Sequence, residues 1–166
     1  MVKYESKSLR NLAVVGHGGT GKTSLCESLL FVAGKSERLG RVDDATSVMD
    51  YEPEEQKRRG SISSSANFVE WEKHKINFID TPGDSNFAYD IKCSMSVVEN
   101  TVVVIDAVGG VEFQTQKVWE LADEFKLPRI IFINRLDRER SNFDTALDSI
   151  KNKLKRKATP VCLPIG

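Results

Sequence analysis

One stretch organises this sequence, Gly16-His17-Gly18-Gly19-Thr20-Gly21-Lys22-Thr23. It fits the phosphate-binding pattern G-x-x-x-x-G-K-[ST] at every fixed position. An apolar run at residues 12–15, typical of a buried strand, comes directly before it, and a helical pattern that stops at Gly34 follows it. Because strand, glycine loop and helix form the context that this pattern requires, we predict a phosphate-binding loop here.

Each residue type in the loop has a chemical role. The glycines let the backbone turn tightly, so that consecutive N–H groups point at phosphate oxygens, and the following helix contributes its positive N-terminal end. Lys22 can reach the β- and γ-phosphates of a nucleotide as a point charge. Thr23 offers a hydroxyl to Mg²⁺, a cation that prefers oxygen ligands. We expect the whole loop, together with Ser24, to bind the phosphates.

The composition is that of an ordinary globular domain. Of the 166 residues, 40% are hydrophobic and 29% are charged, and the formal net charge is zero. A neutral chain gives no signal for DNA or a membrane surface, and it contains neither about 18 consecutive apolar residues nor a signal-peptide pattern. Its 3 cysteines and 2 histidines lack the spacing of a disulfide framework or a zinc site. We expect one cytoplasmic domain with no membrane partner and no specific DNA partner.

Hydrophobic periodicity predicts an α/β fold. Short apolar runs at residues 12–15, 76–79, 102–105 and 130–133 are typical of parallel strands that are covered on both faces. Segments of helical period lie between and after these runs, and a last short strand is expected at residues 161–163. The near-alternating segment 67–72, followed by an expected turn at Lys73-His74, predicts a hairpin with the second run. The result is a P-loop NTPase fold, with a mostly parallel, doubly wound sheet and one antiparallel edge strand.

Polar residues follow the four apolar runs, at Gly16, Asp80, Asp106 and Asn134. Because ligands of open α/β sheets bind outside the carboxyl ends of the strands, we expect these residues to meet at one site. Residues 36–59 form a long charged stretch without a clean apolar period. We interpret this stretch as a mobile switch segment, with a surface insertion as the alternative.

The second apolar run ends in Asp80-Thr81-Pro82-Gly83. A carboxylate in this place can hold Mg²⁺, usually through water, and the Gly83 N–H can bond a γ-phosphate. Loss of that phosphate would release the chain from Asp84 onward, which makes this segment a candidate second switch. We expect these five residues to contact the nucleotide and Asp80 to share the metal with Thr23.

The fourth run ends in Asn134-Arg135-Leu136-Asp137, close to the N-K-x-D signature of guanine-binding proteins. Guanine presents N1–H and an exocyclic amine as donors, which one carboxylate accepts together, whereas adenine would leave that carboxylate unpaired. Unpaired polar groups in a binding site cost on the order of 10⁴-fold in discrimination. Arg135 replaces the usual lysine, and a guanidinium can stack over the base at least as well. The four residues therefore predict selective binding of guanine.

Together, these motifs resemble those of the G domain of elongation factor G and its paralogues, the translational GTPases. The likeness extends from Arg10-Asn11 to Leu163-Pro164-Ile165-Gly166 and includes Gly40-Arg41-Val42 and Asp106-Ala107-Val108-Gly109-Gly110-Val111. It implies GTP and GDP as ligands, Mg²⁺ as cofactor and GTP hydrolysis as the reaction. It also implies the ribosome as partner of the full-length protein and a monomeric G domain.

The resemblance also assigns roles to single residues. The family carries an R-G-I-T segment whose threonine binds Mg²⁺ when GTP is present, and counting back from Asp80 and Trp71 without gaps places Ser61 there. Arg59-Gly60 is then shifted by one residue from the family's R-G. We expect Ser61 to be the third metal ligand, and Lys22, Gly83 and Asp84 to be the catalytic residues.

Asp84 departs from the family, whose D-x-P-G-H ends in a histidine that helps place the attacking water on the ribosome. A carboxylate can accept a hydrogen bond from water, but it adds negative charge beside a phosphoryl group. Positioned proton-transfer groups contribute about 10²–10⁴-fold, so we expect hydrolysis to be slowed or nearly absent. A helix N-cap is the alternative role for an aspartate after a turn.

Three functions stay open at this point. The favoured one is a GTP-hydrolysing switch on the ribosome, acting in translocation or recycling. The second is a GTP-binding module with little hydrolysis, and the third is an adenine-nucleotide kinase or ATPase, which would not explain Asn134 and Asp137. The base-contacting S-A-[LK] loop of the family has no match in the sequence, so we expect residues 1–166 to be the N-terminal fragment of a longer multidomain factor.

Overall fold

A computed structural model of the chain describes residues 4–155 and 157–165. Its five-stranded sheet has the order β2-β3-β1-β4-β5. The strands are β1 (Leu9–Gly16), β2 (Ser65–Trp71), β3 (His74–Asp80), β4 (Asn100–Asp106) and β5 (Arg129–Asn134). Strand β1 runs parallel to both β3 and β4, β4 runs parallel to β5, and β2 is antiparallel to β3 at the edge. The predicted fold class is therefore confirmed.

Helices cover both faces of this sheet. They are α1 (Lys22–Val32), α2 (Pro53–Arg58), α3 (Ala88–Ser96), α4 (Phe113–Glu124) and α5 (Phe143–Leu154), with short 3-10 turns at Ser6–Ser8 and Ser85–Phe87. One core lies between the sheet and the helices α3, α4 and α5, and it includes Val15, Val103 and Trp119. The other core lies under α1 and includes Val14, Leu30 and Phe78. The near-continuous apolar strands are thus buried on both sides, as parallel strands in doubly wound sheets are.

Two local predictions were wrong. The hairpin turn consists of Glu72 and Lys73, both with positive φ (44° and 65°), and not of Lys73-His74, because His74 already pairs with Trp71. Residues 161–163 form no strand, although they are apolar, and the side chain of Val161 is 94% exposed. Among the described residues the sheet ends at β5, and residues 161–163 do not pair with that strand.

The segment 36–59 is more structured than its sequence suggests. It contains the short helix α2, which begins with Pro53 directly after Glu52 and ends at Arg58, and the next residue, Arg59, lies in the left-handed region. The buried Glu55 carboxylate accepts hydrogen bonds from the backbone N–H groups of Glu52 (3.3 Å), Ile62 (2.9 Å) and Ser63 (3.0 Å). These bonds tie the helix to the residues that follow it, so the chain around Ser61 has a defined course.

The carboxyl ends of the parallel strands meet at one edge of the sheet. Gly16 is in register with Val104 of β4, and Asp106 is in register with Asn134 of β5. Asp80 ends β3 beside Val14 of β1. All four polar positions predicted at strand ends therefore lie along this edge, where open α/β sheets bind ligands.

Candidate functional site

The phosphate-binding loop follows β1 and turns into α1 through glycine conformations that other residues rarely adopt. Gly21 has φ +91°, and a Cβ at this position would overlap the side-chain nitrogen of Asn134. A Cβ at Gly16, whose φ is +148°, would overlap the carbonyl oxygen of Val104. The loop therefore needs glycine at both ends, for its backbone turn and for its close packing against β4 and β5.

We expect Gly21→Ala to lower the free energy of unfolding by about 1–3 kcal/mol, the usual cost of a residue forced into a sparsely populated conformation. The added methyl group would also push Asn134 away from the loop. Thermal or urea unfolding measures the change. Gly60→Ala is the matched control, because a Cβ at residue 60 meets no atom within 4 Å. Equal stability of the two variants would contradict the proposed packing.

Inside the loop, the carbonyl oxygen of His17 accepts two hydrogen bonds, from Lys22 Nζ (2.9 Å) and from Thr20 Oγ1 (3.0 Å). Burial lowers the pKa of the Lys22 ammonium, while the nearby Asp80 carboxylate acts in the opposite direction. The imidazole of His17 turns towards Glu112, with Nε2 3.2 Å from Oε2. The loop thus presents its backbone and Lys22 to the site, and the histidine side chain contacts the residue that precedes α4.

Gly83 closes over the loop from the other side. A Cβ built on Gly83 would lie 2.6 Å from the Cα and 2.7 Å from the N of Gly18, and it would overlap Lys22 Nζ. Thr81 fixes this position, because its hydroxyl donates to the Val14 carbonyl oxygen (2.8 Å) and both Thr81 and Pro82 are buried. The Gly83 backbone therefore lies against the loop, within reach of the group that Lys22 would bind.

Beside the loop, hydroxyls and carboxylates form a linked cluster. Thr23 Oγ1 lies 3.1 Å from Ser61 Oγ, and Ser61 Oγ donates to Asp50 Oδ1 (2.7 Å). Asp80 is 1% exposed and lies at the same place, near Thr23 and Lys22. Sequence reasoning had proposed Thr23, Ser61 and Asp80 for the metal, and the structure brings all three together. It had missed Asp50, which carries no motif and lies in a charged stretch.

This cluster fits a hard divalent cation. Both carboxylate oxygens of Asp80 and Oδ2 of Asp50 are buried and lack a hydrogen-bond partner among the described residues. Burial raises the pKa of Asp80 to about 7 and also raises that of Asp50, because removal from water disfavours the charged carboxylate. The described residues contain no group of three or more His, Cys, Asp or Glu side chains suited to a metal. Two carboxylates and two hydroxyls are a donor set suited to Mg²⁺, which keeps several waters and shares phosphate oxygens.

Asp84 has structural partners in this arrangement. Its Oδ1 accepts from the backbone N–H of Asn86 (3.0 Å), which caps the turn Ser85–Phe87, and its Oδ2 pairs with the Arg58 guanidinium (2.6 Å). The bond from Asn86 and the positive charge of Arg58 lower the pKa of Asp84. Its carboxylate therefore joins the start of the second switch to the end of α2, as a cap and an ion-pair partner.

The predicted base-binding residues lie next to the phosphate loop. Asn134 Nδ2 donates to the carbonyl oxygen of Thr20 (2.9 Å), so the two motifs touch. Arg135, with φ +64°, directs its guanidinium to Asp106 Oδ2 (2.9 Å). Burial raises the pKa of Asp106, but its hydrogen bonds from Arg135 and from backbone N–H groups outweigh burial and lower it. Leu136 and Asp137 are exposed, and Asp137 has no partner among the described residues.

A cavity of about 490 Å³ runs from the phosphate loop to the switch segment. Its walls include predicted residues from the loop, from Ser61, from Gly83 and Asp84, and from Arg135. Sequence reasoning had not assigned a role to several further lining residues: Ser28, Leu39, Gly40, Arg41, Val42, Asp43, Arg58, Arg59 and Gly60. Gly40-Arg41-Val42 carried a signal, because it belongs to the stretches that resemble the family, whereas Arg58 carried none.

Comparisons with known proteins agree with this geometry. Residues 7–163 match the family described as "Elongation factor Tu GTP binding domain". The chain is 40% identical over 165 residues to elongation factor G 1 of Bdellovibrio bacteriovorus, a match that covers 99% of this chain and 24% of that protein. It is also similar to a crystal structure of a protein from Thermus thermophilus, with a TM-score of 0.84 and 31% identity, over 87% of this chain and 22% of the other. The chain thus spans about a quarter of the length of these relatives. Within the part of the chain that the structure describes, no helix is both long and apolar enough to cross a bilayer.

Proposed function

The chain belongs to the elongation factor Tu GTP-binding domain family, within the translational GTPases, and from this premise we propose that it is the N-terminal, GTP-hydrolysing domain of a longer factor similar to elongation factor G. The observation that carries the proposal is the meeting of three features at one edge of the sheet. These are the glycine loop, the Thr23 hydroxyl cluster and the Asn134–Thr20 contact. A cytoplasmic location and a monomeric G domain belong to the same proposal.

In this proposal different residues bind the phosphates, the base and the metal ion of one nucleotide. Backbone N–H groups of residues 16–24 and the Lys22 ammonium bind the phosphates, and Asp137 accepts from the guanine edge. Thr23, Ser61, Asp80 and Asp50 would hold Mg²⁺, directly or through water. When bound, this cation would supply positive charge to the phosphate oxygens. The contact between Asn134 and Thr20 supports a single ligand, because it leaves the base and phosphate residues side by side.

The reaction is phosphoryl transfer to water. The water oxygen forms a bond to the γ-phosphorus, the bond from that phosphorus to the β-phosphate oxygen breaks, and GDP, inorganic phosphate and a proton are released. Such transfers depend mainly on positioning and on neutralising charge. Lys22 and the loop N–H groups offset charge on the phosphates, and the Gly83 N–H binds the γ-phosphate. Isolated, the domain should turn over on the order of 10⁻³ s⁻¹ or less, since an unassisted GTPase is slow.

A second candidate, a GTP-binding module with little hydrolysis, is favoured by the contacts of Asp84. This carboxylate occupies the position of the family's histidine, but it is engaged by Asn86 and Arg58. A group held in this way caps a turn and does not place water. Hydrolysis then depends on whether a partner rearranges Asp84.

The proposed partner is the ribosome, and the proposed role is a conformational switch in translocation or recycling. GTP would hold residues 36–61 and the segment from Asp84 onward, and loss of the γ-phosphate would release both. The Arg58–Asp84 ion pair links these two segments directly, which supports their moving together.

Single-turnover hydrolysis of GTP, measured with and without ribosomes on the full-length protein, tests the proposal. We expect a slow basal rate that ribosomes raise. A basal rate that ribosomes leave unchanged, together with tight GTP binding, would reject the switch and support the binding module. Preferential binding of ADP would reject both.

A further inference from the structure

Glu27 is a buried carboxylate that the nucleotide chemistry above does not use. It lies on α1 four residues after Thr23, so both side chains project from the same face of the helix. The residue is 0% exposed. Glutamate is almost never fully buried unless it is paired, so its partners explain its place.

The partners of Glu27 belong to the switch segment. Its Oε1 accepts hydrogen bonds from Ser47 Oγ (2.6 Å) and from the N–H groups of Val48 (2.7 Å) and Met49 (3.1 Å). Ser47 Oγ accepts in turn from the N–H groups of Met49 (3.1 Å) and Asp50 (3.2 Å). Hydrogen bonds to a charged acceptor are about twice as strong as neutral ones. Glu27 therefore fixes the backbone that leads directly into Asp50.

Gly40 closes the other side of this carboxylate. A Cβ at residue 40 would overlap Glu27 Oε2, so the backbone at Gly40 passes close to the carboxylate. Oε2 is buried without a hydrogen-bond partner among the described residues. The segment thus wraps around Glu27 at two points, residues 40 and 47–49.

From Asp50 the contacts return to α1. Asp50 Oδ1 accepts from Ser61 Oγ (2.7 Å), and Ser61 Oγ lies 3.1 Å from Thr23 Oγ1. Glu55 holds the backbone just after Ser61, but Glu55 belongs to the switch segment itself. Together with the Thr23–Ser61 contact, Glu27 thus attaches this assembly to the helix that carries Thr23.

We propose that Glu27 is a positioning residue for the magnesium side of the site: by binding residues 47–49 it holds Asp50, and through Asp50 also Ser61, against Thr23. The inference rests on the proposed function, because it concerns how the metal side of that site is assembled. Of the phosphate loop, only the proposed metal ligand Thr23 takes part in this chain of contacts. We therefore expect the loss of Glu27 to affect metal binding more than phosphate binding.

Amide hydrogen exchange on the nucleotide-free chain tests the anchoring by itself. We expect the amides of Val48, Met49 and Asp50 to be protected. Glu27→Leu should expose the amide of Val48, and Ser47→Ala should expose that of Asp50. Ser36→Ala is the matched control, since Ser36 Oγ donates to the Arg38 carbonyl oxygen (2.6 Å) elsewhere in the segment. Unprotected amides in the unaltered chain would overturn the inference.

GDP affinity measured in Mg²⁺ and in EDTA tests the consequence. Mg²⁺ should raise the affinity of the unaltered chain for GDP above its affinity in EDTA. We expect Ser47→Ala and Glu27→Leu to reduce this Mg²⁺-dependent increase in GDP affinity by about 10–100-fold, the usual effect of losing a group that orients metal ligands. The affinity in EDTA should change by less than about threefold, which is below 0.7 kcal/mol. An equal loss of GDP affinity in Mg²⁺ and in EDTA would show a merely structural role and overturn the inference. An unchanged increase in GDP affinity on adding Mg²⁺ would overturn it as well.

Glu27→Leu and Ser47→Ala are both needed, because one of them could lower the stability of the fold. If Glu27→Leu melts at a much lower temperature than the unaltered chain, Ser47→Ala, which keeps the carboxylate, decides the result. The proposed function and the anchoring can also fail separately. If the unaltered chain binds no guanine nucleotide, the proposed function is contradicted. If amides that are protected in that chain become exposed in Ser47→Ala, the anchoring of residues 47–50 is still supported.

Discussion

Asp137→Asn is expected to weaken GDP binding by about 10³-fold or more and to create affinity for xanthosine diphosphate. The carboxylate accepts two donors from guanine, and asparagine puts a donor where an acceptor is needed. Xanthine carries an oxygen at the corresponding carbon, so it accepts from that donor. A site that hydrogen-bonds its ligand rejects the mismatched analogue by about 10⁴–10⁵-fold, which sets the scale. Titration with the two diphosphates measures the exchange.

The control for this variant is Asp148→Asn. Asp148 is an exposed carboxylate on α5 whose partner is Lys151 (3.4 Å), so its loss should leave GDP affinity unchanged. If Asp137→Asn also left GDP affinity unchanged, the exposed Asp137 carboxylate would not be the base contact, and the guanine assignment would lose its basis.

Gly83→Ala is expected to lower the affinity for a non-hydrolysable GTP analogue by at least about 100-fold. The methyl group would lie 2.6 Å from the Gly18 Cα, and this backbone contact cannot be relieved by rotating a side chain. Moving the Gly83 N–H away removes a hydrogen bond to a charged group, worth about 1.5–3 kcal/mol. Displacement of Lys22 adds to the loss. Calorimetric titration provides the measurement.

Gly109→Ala is the matched control for Gly83→Ala. A Cβ at Gly109 contacts only the Glu112 side chain, with the nearest atom at 3.0 Å, and this carboxylate can rotate away. Wild-type affinity in both variants would mean that the Gly83 backbone does not contact the γ-phosphate.

Local sequence signals predicted the sheet and the phosphate loop because both depend on short-range properties. The four apolar runs lie within β1, β3, β4 and β5, and the glycine loop joins β1 to α1 as its spacing indicates. The placement of Gly16 and Asn134 at the same edge of the sheet was also predicted, since the carboxyl ends of parallel strands share one edge. The family comparisons confirmed the resemblance to translational GTPases.

Long-range contacts of the switch segment were beyond the sequence signals. Asp50 is bonded to Ser61, and the backbone beside it is bound by Glu27, which lies 22 positions before Met49. Helix α2 has 6 residues, too few for a periodic pattern to emerge. The turn at Glu72 and Lys73 has positive φ without glycine or asparagine, so it lacked the usual hairpin signal. Arg58 gained meaning only from its pairing with Asp84.

Titration of the 166-residue chain with GDP and with ADP, both in Mg²⁺, tests most directly whether one guanine nucleotide bridges the glycine loop and Asp137. We expect GDP to bind and ADP to bind about 10⁴-fold more weakly, because adenine leaves the Asp137 carboxylate without its two donors. Equal binding of the two nucleotides, or tighter binding of ADP, would contradict the assignment of the base site.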